Sequence, residues 1–73
     1  MPVEVESQIT GSVWKVEKAV GDVVAVEDVL LIIESMKMEI PVEAPAAGVV
    51  TEVRVAPEDR VGEGDVLVVL EPA

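Results

Sequence analysis

The chain has 73 residues, 51% of them hydrophobic, with no cysteine and no histidine, so it allows one small domain (1–73) and excludes disulfides and a conventional zinc site. Fifteen acidic residues against five basic ones give a formal net charge of −10. This charge argues against nucleic acid or an anionic membrane as a partner, and it favours a soluble monomer that can be steered toward electropositive enzyme faces.

Strand patterns dominate the first half of the chain. Residues 3–6 alternate apolar and polar side chains, which is typical of a half-buried strand. The stretch 13–16 breaks this two-residue period, and a β-bulge would explain the break. A turn is indicated at 21–22, and the continuous apolar run 29–33 predicts a buried strand.

The second half shows the same features in the same order. Residues 50–53 repeat the broken period, 63–65 indicate a turn, and 66–70 form a second apolar run. The prolines at positions 41, 45 and 57 argue against helices around them. We therefore expect an all-β domain of about eight short strands, arranged as a sandwich or barrel.

The chain also aligns with itself at an offset of 37 residues. Residues 11–34 match residues 48–71 without a gap, and 10 of the 24 pairs are identical. Because valine-rich chains match themselves by chance, the main evidence comes from the glycine, aspartate and glutamate pairs. These are Gly11/Gly48, Asp22/Asp59, Asp28/Asp65 and Glu34/Glu71. Two copies that close on each other around a pseudo-two-fold axis are the natural architecture.

Lys37 lies at the junction of the two copies and has no counterpart within the chain. It stands between Met36 and Met38, in the short link between the apolar strand 29–33 and a strand through 40–42. Such a link predicts a tight hairpin, although it lacks the Gly, Asn or Asp that hairpin turns favour. Because departures from local rules are often functional, we predict an exposed, functional lysine at the hairpin tip.

The segment Glu34-Ser35-Met36-Lys37-Met38-Glu39 resembles the biotin attachment motif of biotin carboxyl carrier (biotinyl) domains, (Ala/Ser)-Met-Lys-Met. The glycine and aspartate positions of both copies are also similar to that family, so the resemblance covers essentially the whole chain. It implies a flattened eight-stranded barrel-sandwich of two four-stranded antiparallel sheets with pseudo-two-fold symmetry. The ungapped repeat leaves no room for the protruding thumb of some carriers, which indicates a small, thumb-less type. The chain also lacks the long N-terminal linker common in those carriers, so we expect a free-standing minimal biotinyl protein or an excised domain. Where many members have Ala-Pro-Met, this chain has Ser7-Gln8-Ile9, and we expect a local change in the strand there.

The resemblance implies a non-catalytic carrier subunit of a multicomponent carboxylase. Lys37 would be the covalent attachment site for biotin, and biotin protein ligase and the partner enzymes would recognise Met36, Met38 and Glu34. The biotin arm would carry a carboxyl group from biotin carboxylase to carboxyltransferase, with acetyl-CoA, propionyl-CoA, pyruvate and urea all open as acceptors. Since an ordinary exposed lysine is protonated at pH 7, activated biotin must come from the ligase.

Two other functions stay open at this point. A lipoyl carrier resembles the same fold, but its motif usually has Asp before the lysine and Ala after it, where this chain has Met36 and Met38. An unmodified barrel-sandwich could instead serve only in assembly, with Lys37 as a solubilising charge. The acidic pairs near Asp28 and Asp65 lack the pattern of a calcium loop, and we interpret them as solvated turns without a metal. The absence of a secretory signal in residues 1–10 and of an 18-residue apolar run favours the cytoplasm.

Overall fold

The computed structural model describes the whole chain, residues 1–73, as eight strands joined by turns. In chain order the strands are β1 (Val3–Glu6), β2 (Gly11–Val16), β3 (Val23–Val24), β4 (Val29–Ser35), β5 (Met38–Glu43), β6 (Gly48–Val53), β7 (Arg60–Val61) and β8 (Val66–Pro72). No helix of the length and apolar character needed to cross a bilayer is present.

The strands form two four-stranded sheets, one in the order β1-β8-β6-β3 and the other in the order β5-β4-β2-β7. Every neighbouring pair is antiparallel. A shift of 37 residues exchanges β1 with β5, β2 with β6, β3 with β7 and β4 with β8, and so converts the first sheet into the second. The predicted all-β sandwich with pseudo-two-fold symmetry is confirmed. Because each sheet takes two strands from each half, neither half contains a complete sheet.

The predicted β-bulges are present at equivalent places in both halves. The register shifts between Val13 and Lys15 where β2 pairs with β4, and between Val50 and Glu52 where β6 pairs with β8. The bulge leaves Val13 buried while Trp14 stays about half exposed at the sheet surface. An extra residue on one strand thus explains the broken apolar period in each half.

The core lies between the two sheets and is built mainly from the two apolar runs. These runs are on β4 and β8, which are interior strands of their sheets. The largest side chains with no exposure are Leu30, Leu31, Ile33, Leu67 and Leu70. Three of the four edge strands have features that discourage pairing with another chain. The strands β3 and β7 have only two residues each, and β5 contains Pro41. Short edges and proline discourage pairing with another chain.

Four turns of one kind connect the two sheets. Each spans four residues, ends in an aspartate and has a positive φ at its third residue, which is Gly21, Glu27, Glu58 or Gly64. The aspartate carboxylate accepts a hydrogen bond of 2.8–2.9 Å from the first N–H, and the aspartate N–H donates to the first carbonyl. The sequence indicated the first and last of these turns; the structure shows that all four share one geometry.

Each of these turns is also bonded to a buried residue of the other half of the chain. The third residue of each turn donates its N–H to the carbonyl of the buried residue. The buried residue in return donates its N–H to the main-chain carbonyl of the turn's aspartate. In turn order the buried partners are Val50, Ala44, Val13 and Ser7. The two halves are therefore joined by main-chain hydrogen bonds at all four corners of the sandwich.

Ser7, where the sequence departs from Ala-Pro-Met, is a buried polar residue. Its side chain is buried, and its Oγ donates a hydrogen bond of 2.6 Å to the Ile9 carbonyl. Ala44, its counterpart in the second half, is buried without such a bond. The buried hydroxyl is satisfied because it finds a hydrogen-bond partner two residues away.

Candidate functional site

The β4–β5 hairpin has the shortest possible turn. Ser35 and Met38 form the last cross-strand pair, so Met36 and Lys37 alone make the turn. Their φ angles are 52° and 65°, both in the left-handed region. Two such residues match the twist of a hairpin, but without glycine each costs about 1–2 kcal/mol. The predicted tight hairpin is confirmed, and both residues of its turn have a strained backbone.

The side chains of this turn point into solvent. Lys37 is exposed and belongs to none of the ion pairs, while Met36 is 92% exposed and Met38 64% exposed. Large apolar side chains held in water contribute no packing to the core. Flexible methionines suit a surface that a partner must grip, so their exposure fits a recognition role.

The base of the hairpin is fixed to the β1–β2 loop. Ser35 Oγ donates a hydrogen bond of 2.9 Å to the Thr10 carbonyl. At Gly11 the two backbones approach so closely that a Cβ atom would clash with the Glu34 carbonyl oxygen and lie 2.9 Å from Ile33 Cγ2. Glycine is required here by this contact, which holds β2 tightly against the end of β4.

Two carboxylates lie directly below the turn. Glu34 at the end of β4 is the cross-strand partner of Glu39 on β5, and both side chains are exposed. Like charges in directly opposed positions are destabilising. The tip of the hairpin therefore combines one cation, two exposed methionines and an acidic base.

The structure thus brings together the four residues that the sequence selected, Glu34, Met36, Lys37 and Met38, on one hairpin. Their roles in attachment and recognition stay predictions. Sequence reasoning missed Thr10, Ser12 and Arg60, which lie beside the hairpin in space. A search of the repeat for positions where the two copies differ in polarity would have found them.

The fold places this chain in the class of small biotin/lipoyl attachment domains. A family model described as "Biotin-requiring enzyme" matches residues 1–70, and the chain belongs to that family. It is 46% identical over 66 residues to the biotin/lipoyl attachment protein of Bacillus subtilis, with 90% of each chain covered. It is 43% identical over 70 residues to the biotinylated protein TB7.3 homolog of Mycobacterium leprae, covering 96% of this chain and 99% of that one.

A solved structure shows the same architecture within a much larger protein. The Kluyveromyces lactis urea carboxylase matches with a TM-score of 0.93 and 37% identity, covering 97% of this chain and 6% of that chain. Relatives named as dihydrolipoyllysine-residue acyltransferase components also match. The comparisons therefore include proteins named for biotin or carboxylase activity as well as proteins named for lipoyl groups.

Proposed function

We propose that this protein is a biotin carboxyl carrier domain in which the Lys37 amine forms an amide with biotin. The observation that supports this most directly is the position of Lys37, exposed between two exposed methionines on a left-handed hairpin turn. The family's description as biotin-requiring and the similarity to carboxylases support it further.

The geometry suits an attachment point better than a catalyst. Lys37 belongs to no ion pair, and neither histidine nor cysteine is available as a general base or second nucleophile. Activation of biotin must therefore come from a biotin protein ligase, which would recognise Met36, Met38 and Glu34. Attachment removes one positive charge and changes the formal net charge from 5 − 15 = −10 to 4 − 15 = −11.

The fold supplies position, and the attached group supplies the chemistry. Biotin, when bound, offers the nitrogen that accepts a carboxyl group at an ATP-dependent biotin carboxylase and releases it at a carboxyltransferase. The hairpin presents that group in solvent on a small domain, which measures 34 × 17 × 17 Å. A tethered group reaches each partner enzyme at a high local concentration.

The second candidate is a lipoyl carrier, favoured by the relatives with dihydrolipoyllysine names. The methionines on both sides of Lys37 favour biotin, because the lipoyl motif usually has Asp before the lysine and Ala after it. The same lysine would serve in both cases, so the two candidates differ in the group attached and in the enzyme that attaches it.

Intact-mass spectrometry tests this function. The protein is incubated with biotin, ATP and a biotin protein ligase, and in parallel with lipoate and a lipoate ligase. We expect one biotinyl group on Lys37, avidin binding and no lipoyl group. The Lys37→Arg variant should stay unmodified, whereas Lys15→Arg, which changes another exposed lysine, should be biotinylated like the wild type.

Lipoylation without biotinylation would establish the second candidate. A protein that neither ligase modifies, and that still binds a carboxylase, would be an assembly module instead. Biotin on a lysine other than Lys37 would show that the hairpin is not the attachment site.

A further inference from the structure

A polar groove of about 360 Å³ lies beside the attachment hairpin. One side is the hairpin itself, including Ser35 and Lys37, and the other is formed by residues 10–12 and by Arg60 of β7. Arg60 reaches this place because it pairs with Ser12 on the strand next to β4. The groove therefore adjoins the root of any arm attached to Lys37.

Arg60 is a cation without a carboxylate partner. The three ion pairs of the protein involve the N-terminus, Lys15 and Arg54, although acidic residues outnumber basic ones by 15 to 5. Lys37 is the only other cation lining the groove, and attachment of an acyl group removes its charge. Arg60 then becomes the single positive charge of this groove.

The internal duplication supplies a comparison for this groove. Shifting the residues of the groove by 37 positions gives the equivalent place in the other half of the repeat. Thr10, Ser12, Ser35 and Arg60 correspond there to Ala47, Val49, Pro72 and Val23. At these four positions the same backbone frame is apolar where no lysine is present, and carries hydroxyl groups and a guanidinium only beside Lys37; Glu34 keeps an acidic counterpart, Glu71.

We propose that this groove is a resting site for the carboxylated end of the arm, where Arg60 pairs with the carboxylate and Ser12 and Thr10 add hydroxyl groups. The proposal rests on the proposed biotin function. A guanidinium is suited to a carboxylate, since its parallel N–H groups can bond both oxygens.

Two features keep this site weak, as a carrier requires. Arg60 is exposed, and a solvent-exposed ion pair contributes little. Glu34 also lines the groove, and its carboxylate opposes a bound anion. Tethering compensates in part, because it holds the arm's end near the groove at roughly millimolar local concentration. The arm therefore rests in the groove for part of the time and leaves for a partner enzyme without a large barrier.

Nuclear magnetic resonance tests the proposal on isotope-labelled protein whose biotin on Lys37 has been verified by mass. The biotinylated protein is carboxylated with biotin carboxylase, ATP and ¹³C-bicarbonate. We expect the Arg60 Nε–H signal and the Gly11 and Ser12 amide signals to move on carboxylation and to return as the carboxyl group is lost.

Substitution of Arg60 supplies the second part of the test. Arg60→Gln should reduce the shift changes at Gly11 and Ser12 about two-fold or more, and Arg60→Lys should retain part of them. Arg60→Gln leaves the backbone bonds of β7 intact, so the fold is preserved.

Arg54 is the matched control. It is an exposed arginine whose Nε donates to Glu52, and this hydrogen bond, together with the charge of Glu52, raises the pKa of Arg54. Its signal should not move on carboxylation, and Arg54→Gln should leave the changes at Gly11 and Ser12 unaltered.

The resting site is ruled out if verified carboxylation moves only the signals of 36–38, or if Arg60→Gln has no effect on the changes at Gly11 and Ser12. If mass spectrometry finds no biotin on Lys37, the proposed function and the resting site both fail. If biotin and the carboxyl group are present without these shifts, only the resting site fails.

Discussion

At the scale of the residue, Met36 and Lys37 combine strain and exposure. Both have left-handed backbone angles, which Asn and Gly adopt at far lower cost, and both side chains are exposed. Neither choice of residue is explained by stability. The roles proposed above for these side chains, recognition and attachment, would account for the choice at the expense of a more stable turn.

Replacing the turn with a favourable pair tests this conclusion. The double variant Met36→Asn, Lys37→Gly should raise the free energy of unfolding by about 1–2 kcal/mol. This is less than the full cost of two left-handed residues, because Asn keeps part of that cost and glycine gives the unfolded chain more freedom. The same variant should lose all biotinylation. Urea unfolding followed by circular dichroism measures the first effect, and intact mass measures the second.

Val20→Asn is the control, because it changes an exposed side chain in another turn at a residue without positive φ. It should shift the free energy of unfolding by no more than about 0.5 kcal/mol. An unchanged stability in the double variant would show that the turn formed by Met36 and Lys37 is not strained.

At the scale of the element, backbone strain also occurs in two of the four turns that connect the sheets. The residue with positive φ is glycine in two turns and glutamate in the other two, Glu27 and Glu58. In the repeat, Gly21 corresponds to Glu58 and Glu27 to Gly64. Each half thus has one turn with the favourable residue and one without, which shows that glycine fits all four places.

Glu27→Gly and Glu58→Gly should each stabilise the protein by about 0.5–1 kcal/mol. Relief of the left-handed backbone outweighs the extra freedom that glycine gives the unfolded chain. Unfolding in urea measures the change for each variant.

The matched controls are Glu27→Gln and Glu58→Gln, which remove the same charge but keep the backbone strain. The difference between the glycine and glutamine variants isolates the backbone contribution. Equal effects of the two substitutions would assign the gain to charge alone.

These turns, together with the strands, show which parts of the fold can be predicted from the sequence. The apolar runs, the bulges and the hairpin were predicted, because side-chain periodicity and turn spacing are local properties of the chain. The common geometry of the four turns was not predicted as a set, since two of them lack glycine. Their aspartates recur at a constant offset, and that was the signal available.

At the scale of the whole molecule, small size and high net charge both limit the stability of the folded state. A domain of this length buries only about 60% of the surface its unfolded chain exposes, so its stability is marginal. Its formal net charge is −10, and its three ion pairs are between solvent-exposed groups. Compaction brings the acidic side chains closer together, so the folded state carries more self-repulsion than the unfolded state.

The melting temperature should therefore rise with salt. Raising the salt from about 0.01 M to about 1 M shortens the screening length from about 30 Å to about 3 Å. We expect an increase of about 5 °C, equivalent to about 1 kcal/mol for a domain of this size. Thermal unfolding by circular dichroism measures it.

The triple variant Glu27→Gln, Glu58→Gln, Glu63→Gln reduces the magnitude of the formal net charge, from −10 to 5 − 12 = −7, and serves as the control. It should melt higher than the wild type at low salt and respond less to added salt. A melting temperature independent of salt would contradict the role assigned to self-repulsion.

The sequence by itself determined the all-β class, the duplicated design and the position of Lys37 at the junction of two copies. These properties follow from side-chain alternation, turn residues and self-similarity, which can be read along the chain. Only the tertiary structure decided which strands share a sheet, because that depends on contacts between residues far apart in sequence. It also placed Arg60 and Ser12 beside Lys37, since the pairing of β7 with β2 brings segments that are distant in sequence to one groove.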